Sequence, residues 1–277
     1  MSENNTAVAT TAPKTAEVQT LTSLLRNDNI KARIESMLKD RAPQFTSSLL
    51  SLANSSAQLR AADPKTILAA AMTAATLDLP INPNLGFAYI VPYKTTAQFQ
   101  MGYKGFIQLA MRSGQYKRMN AVCVNQEAIG GVDDMGETII NWTAIDETKP
   151  AVGYVFAFEL VNGFRKVAYW PKSKVQAHAG KYSQAFRGGR GTPWQDNFDA
   201  MALKTVAKLT LAKWGPLTVA MEKAIVEDQG IKHDVDDAPT YVDAEEVTPS
   251  APRELKRGNA DAPPVSGMLQ PAVDAAM

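Results

Sequence analysis

The chain has 277 residues, 45% of them hydrophobic and 21% charged, which is the balance of a soluble protein with room for one sizeable domain and tails. No apolar run approaches the ~18–20 residues that cross a bilayer, and no basic-then-apolar leader opens the chain, so a cytoplasmic protein without membrane contact is expected. One cysteine, Cys123, and two histidines, His178 and His233, leave no internal disulfide and no Cys/His zinc cluster, and Cys123 is expected to pack in a strand.

The net charge of +1 conceals an uneven distribution. Residues 20–232 carry 25 basic and 17 acidic side chains, whereas residues 233–277 carry 3 and 9. A basic body with an acidic tail suits a protein that meets a polyanion.

In chain order, residues 1–19 lack aromatics and apolar periodicity and are expected to be disordered. Leu21, Leu24, Leu25, Ile34, Met37 and Leu38 recur at helical spacing, and Phe45, Leu49, Leu52 and Leu59 predict a second amphipathic helix after Pro43. Asp63-Pro64 predicts a third start, with Asp as cap and Pro in the first turn, running through Ala75. LDLPINPNLG then breaks the helix.

The period switches to two at Tyr89. Tyr89–Tyr93 and Ala97–Met101 predict a hairpin with Ala97, Phe99 and Met101 on one face and Gln98 and Gln100 on the other. A helix follows Gly102 up to Ser113-Gly114. Strands are expected over 117–125, 138–145, 151–161 and 164–170, the last two joined by an Asn162-Gly163 turn. Helices over about 171–182 and 194–214, and a last one from Pro216 to Gly230, complete a single domain over 20–232. Residues 233–277 read as an acidic, Pro/Ala-rich disordered tail.

From Phe87 to Arg118 the chain holds five Lys or Arg and seven Tyr or Phe without one carboxylate. Cations meet phosphates and planar rings lie against bases, so this stretch suits a nucleic-acid strand. Lys104, Gln108 and Arg112 fall at i, i+4 and i+8, one stripe of the helix after Gly102. Gln98 and Gln100 can donate to phosphate or sugar. A second basic block, residues 161–221, has ten Lys or Arg against Asp196 and Asp199. In it Lys204 and Lys208 share a helix face, and Arg187 and Arg190 sit on a Gly-rich loop. Trp142, Trp170, Trp194 and Trp214 are expected mainly in the core, and His178 as structural or exposed. Walker, zinc-protease and serine-hydrolase motifs are missing. Asp133, Asp134 and Glu137 form one acidic cluster able in principle to hold Mg²⁺, as in a nuclease, although GGVDDMGET reads more simply as a polar turn.

LDLPINPNLGFAYIVPY, QFQMGYKGFIQLAMRSGQYK, VAYWPKSKVQAHA and WQDNFDAMALKTVAKLTLAKWG together resemble the RecT family of phage and prophage single-strand annealing recombinases, over most of residues 30–228. The resemblance implies an α+β fold: N-terminal helices, then a β-hairpin and antiparallel sheet packed with helices, distantly like the Red beta annealing core, with disordered tails. It implies an ATP-independent protein that coats single-stranded DNA and pairs it with a complement through an annealed duplex intermediate. Rings or filaments of identical subunits, a phage exonuclease and a host single-strand binding protein are the implied partners, with no cofactor and no catalytic residue. Carried onto this chain, Gln98, Gln100, Lys104, Gln108, Arg112, Lys117, Lys204 and Lys208 are the implied DNA contacts, with Arg187 and Arg190 beside them. The competing readings are a passive single-strand coating or replication-loading protein and a Mg²⁺-dependent nuclease.

Overall fold

A computed structural model describes residues 20–188 and 192–241 as a mixed α+β body with helices first and antiparallel sheets after. The opening helical pattern splits in two, α1 (Leu21–Leu25) and α2 (Asp28–Leu38), because Asn27 stops one helix and caps the next by accepting from Asn29 N. A 3₁₀ turn leads into α3 (Ala42–Ser55), α4 (Ala57–Ala61) follows Ser56, and α5 (Pro64–Thr76) begins as the sequence predicts: Asp63 accepts from Lys65 N at 2.9 Å and Pro64 holds the first position. The alanines of α5 let neighbouring backbones approach closely, and every residue from Thr66 to Ala75 is buried.

Strands β1 (Ala88–Tyr93) and β2 (Thr96–Met101) form the expected hairpin, in a register that pairs Tyr89 with Gln100 and Val91 with Gln98. Its inner face, Ile90, Ala97, Phe99 and Met101, packs into the core over α5, where Thr66 Oγ1 accepts from Ala97 N at 2.8 Å. Helix α6 (Tyr103–Arg112) leaves the hairpin through two glycines that no other residue replaces without movement. A Cβ on Gly102 would lie 2.1 Å from Gly86 O, and one on Gly105 would lie 2.2 Å from Phe87 O. This contact fixes α6 against the start of β1.

Strand β3 (Tyr116–Val124) is followed by a small hairpin of β4 (Ile129–Val132) and β5 (Thr138–Ile140), then β6 (Gly153–Leu160) and β7 (Arg165–Pro171). The sheet order is β3-β6-β7, antiparallel throughout, so β6 is central. Tyr154, Phe156, Phe158 and Leu160 enter the main core, while Val155 joins Val124, Ala128 and Ile140 on the opposite face beneath the small hairpin. Two corrections to the sequence reading arise here. The strand expected over 138–145 ends at Ile140, since Asn125 draws the next segment into a turn by bonding Ala144 O and Asp146 N. Residues 130–132, read as part of a turn, belong with Ile129 to β4.

Helices α7 (Lys172–Tyr182), α8 (Gln184–Arg187), α9 (Pro193–Asp196), α10 (Phe198–Trp214) and α11 (Val219–Glu227) cover the main-core side. Helix α10 touches α6, β3, β6 and β7 and is the centre of this layer. Short strands β8 (Gly230–Ile231) and β9 (Thr240–Tyr241) then pair with each other. Residues past 232 also contact the body: Arg33 Nη1 donates to Asp236 Oδ2 at 2.9 Å and the Tyr241 hydroxyl donates to Val226 O. The expected disordered arm, residues 1–19, and residues 242–277 of the expected tail lie outside the described residues. No helix among the described residues is long and apolar enough to cross a membrane.

Candidate nucleic-acid interface

The outer face of the hairpin is the chemically distinctive surface. Alternation along β1 turns Tyr89, Val91 and Tyr93 outward, and the register sets Gln100 and Gln98 beside the first two. Facing them stand α8, α9 and the start of α10, and between the two walls runs an open groove. One part, about 540 Å³, is bounded by Tyr93, Gln98, Gln184 and Trp194; the next, about 490 Å³, by Tyr89, Tyr103, Lys104 and Asn197. The two parts share Val91, Gln100, Pro193 and Met201 and so form one channel. The Tyr93 hydroxyl donates to Gln184 Oε1 at 3.0 Å and clasps the hairpin to α8. Trp194 buries its indole N–H without an acceptor among the described residues. The hairpin and α6 wall carries no acid, while Asp196 and Asp199 lie in the opposite wall, where Asp199 accepts from the Tyr154 hydroxyl at 2.6 Å.

Of the residues proposed from sequence, Gln98, Gln100 and Lys104 meet in this groove. Gln100 is only 7% exposed because α9 and α10 overhang it, whereas Lys104 is exposed at the groove's end. The predicted stripe on α6 does not act as one unit. Gln108 and Arg112 line a different hollow beside Arg41 and Asp78, and Arg112 donates to Leu77 O at 2.9 Å and Asp78 O at 2.7 Å, capping the C-terminal carbonyls of α5.

Lys204 and Lys208 share a face of α10, as the spacing predicts, but that face turns inward. Asp228 is 2% exposed and lies 2.8 Å from Lys204 Nζ and 2.8 Å from Lys208 Nζ. The Lys204 contact is an ion pair off the hydrogen-bond direction, while Asp228 also accepts from Met101 N at 2.9 Å. Burial works to raise the Asp228 pKa, but the two ammonium groups hold it below its ordinary value; burial lowers that of Lys204. This node ties β2 to α10 and the end of α11, so Lys204, at 5% exposure, shapes the groove floor from behind.

Lys117 lies elsewhere, on the three-stranded sheet, where Lys117, Arg118 and Arg165 surround the Glu159 carboxylate at 3.0, 2.6 and 3.0 Å. The bond from Lys117, together with the arginines, pulls the Glu159 pKa down to about 2. Arg187 donates to Gly180 O and Lys181 O at the end of α7, near the groove mouth at Gly188; Arg190 falls outside the described residues.

The acidic cluster is a turn. Asp133 Oδ1 accepts from Met135 N and Glu137 N, Glu137 engages Lys166, and no group of three or more possible ligands for a metal is found among the described residues. The tryptophans also divide differently from the expectation: Trp194 is buried, Trp170 partly so, while Trp142 and Trp214 are each 42% exposed. Cys123 sits half-buried in β3, and burial pushes its thiol up to about 11, which keeps it protonated and unreactive. Sequence reasoning missed Tyr89, Tyr93 and Tyr103 as groove residues. The signal was present in the alternation 89, 91, 93 opposite the two glutamines.

The groove of outward tyrosines, amides and a lysine is thus set in a mixed α+β body, and comparison with known proteins gives the class to which that body belongs. The chain belongs to the RecT family, whose pattern matches residues 43–243. It is 44% identical over 233 residues to a Bacillus subtilis (strain 168) protein called "Uncharacterized protein YqaK", covering 84% of this chain and 80% of that one. It is also 23% identical over 189 residues to "Protein RecT" of Escherichia coli (strain K12), covering 65% and 68%.

Proposed function

We propose that this protein anneals complementary single strands of DNA without ATP, as a homo-oligomer on the strand, and serves homologous recombination. The observation that carries the reading is the hairpin groove, with Tyr89, Tyr93, Gln98 and Lys104 on one acid-free wall. Family membership supports the activity in general terms. Lys104 meets phosphate, the tyrosines offer faces to bases, and the amides bond sugar or backbone oxygens. Two strands repel each other, and a groove that holds one by its backbone lowers the cost of approach and aligns its bases for the other. Watson–Crick pairing reads the sequence, so no covalent step and no catalytic residue is needed. We read the helix-packed β3-β6-β7 sheet as a Red beta-like annealing core, and an exonuclease and a host single-strand binding protein as partners that supply and clear the strand.

The test is the pairing rate of labelled complementary oligonucleotides without nucleotide. The expected result is a rate well above that of naked DNA; equality with naked DNA leaves a passive coating protein, and degradation of the label leaves a nuclease. Lys104→Ala is expected to weaken binding to all sequences alike and to reduce the log–log salt slope by ~0.7, the loss of one single-strand phosphate contact. Weaker binding at unchanged slope would remove Lys104 from the phosphate path.

A further inference from the structure

Beside the groove, α7 and the end of β7 present an aromatic ladder that the first strand does not need. The His178 ring lies 5.5 Å from Trp170 and 4.6 Å from Tyr182, centroid to centroid. One turn apart on the helix, His178 and Tyr182 meet in a tilted pair at 44°, and Tyr182 is 53% exposed. Lys174 Nζ stands 4.2 Å over the Trp170 ring and Lys181 Nζ 5.1 Å over that of Tyr182. No acidic residue occurs between Glu159 and Asp196, a run holding seven Lys or Arg.

Trp170, on β7, packs partly against the core, while His178 is half-buried on α7 and Tyr182 leaves half of its surface to solvent beside them. Rings flanked by cations, on a helix without carboxylates, match the chemistry of a single nucleic-acid strand: bases stack and phosphates pair with the lysines. The ladder is also continuous with the groove. The cavity beneath it, about 430 Å³ and bounded by His178, Tyr182 and Lys208, shares Ser183, Trp194, Met201 and Gln229 with the hairpin channel. Burial, with the neighbouring Lys174 and Lys181, lowers the pKa of His178 and so favours its uncharged ring.

We propose that Trp170, His178 and Tyr182, with Lys174 and Lys181, form a second stacking site that receives bases of the incoming complementary DNA strand beside the strand already held in the groove. The site rests on the annealing reading and adds a place for the second reactant. Bases held there lie next to the first strand while they are still unpaired, which raises the local concentration of the complement without making a sequence-specific contact.

The experiment uses the full chain and adds two labelled complementary oligonucleotides in order. Tyr182→Ala is expected to leave affinity for the first oligonucleotide within about twofold and to slow pairing with the second by roughly 5- to 150-fold, the range for one lost base–aromatic stack. Tyr182→Phe, which keeps the ring, is expected to pair at the wild-type rate. His178→Ala with Tyr182→Ala is expected to slow pairing further, with a thermal melt as the folding control. Wild-type pairing by Tyr182→Ala overturns the second site, as does a loss of first-strand affinity in proportion to the loss of rate. A wild-type protein that does not anneal at all removes the parent reading and this site with it, whereas a wild type that anneals beside an unaffected Tyr182→Ala removes this site alone.

Discussion

Asp228 shows how a side chain that touches no ligand can set a binding surface. Its carboxylate, sealed behind the groove, is balanced by Lys204 and Lys208 and by the Met101 amide. Removing one partner of a buried pair leaves an uncompensated charge at a cost of about 3–5 kcal/mol. Asp228→Asn is therefore expected to lower the melting temperature by roughly 10 °C in a body of this size, read by circular dichroism. A melt unchanged to within about 2 °C would show that the triad is not closed in solution. Glu159 gives a pH signature at the same scale. Its pKa falls from an ordinary 4.5 to about 2 in the folded protein, so the unfolded chain takes up the proton first on acidification. Its stabilising contribution is complete above pH 4.5 and disappears as pH falls through about 2. The stability gap between wild type and Glu159→Gln is thus expected at pH 7 and should close between those values; a gap independent of pH would assign the effect to packing alone.

Among the elements, the hairpin and α6 act together because two glycines let α6 begin against the backbone of residues 86–87. Gly102→Ala is expected to destabilise the protein by more than 1 kcal/mol in a denaturant titration, since the neighbour it would strike is backbone rather than a movable side chain. A neutral result would mean that the 86–87 segment yields without cost. These elements were legible in the sequence because their patterns are strong: alternation from Ala88 to Met101, Asp63-Pro64 at a helix start, and Asn162-Gly163, where Gly163 adopts φ +89° in the turn. Strand β4 was not legible, since Gly130, Gly131 and Val132 are exposed and leave no apolar alternation to read. The α6 stripe was legible as a helix face but not as a surface, because the carbonyls of Leu77 and Asp78, distant in sequence, claim Arg112.

For the molecule as a whole, the segment from residue 233 to 241 connects the body to the acidic tail. Tyr241 and Gln229 both line the hairpin channel, and the sequence from Asp234 to Glu246, which includes Tyr241, holds six carboxylates. Truncation after Tyr241 is expected to preserve the melting temperature, whereas truncation after Lys232 should lower it by removing the β8–β9 pairing and the Arg33–Asp236 contact. The same cut after Lys232 should tighten single-strand binding at low salt by taking away competing carboxylates, with the gain fading as screening shortens their reach. Equal melts for the two truncations would place the body's boundary at 232, and superimposed binding isotherms at low salt would leave the tail without a role at the groove.

The sequence by itself determined the mixed α+β class, most of the elements and the charge polarity of the chain, because these depend on local periodicity, turn chemistry and composition that a linear reading contains; the family came from resemblance over blocks such as LDLPINPNLGFAYIVPY. It also proposed Gln98, Gln100 and Lys104, which the fold brings to one groove. Only the tertiary structure decided which cations are available. Lys104 is exposed without a partner among the described residues, Arg112 and Lys117 are exposed but paired with helix-end carbonyls and Glu159, and Lys204 is buried against Asp228 with Lys208 partly buried beside it. Helical spacing shows that two lysines share a face, but whether that face meets solvent or a buried carboxylate depends on residues brought near by folding. The physical reason is that a charge buried next to its counter-charge and one exposed to water have the same local sequence signal and opposite capacities to bind phosphate.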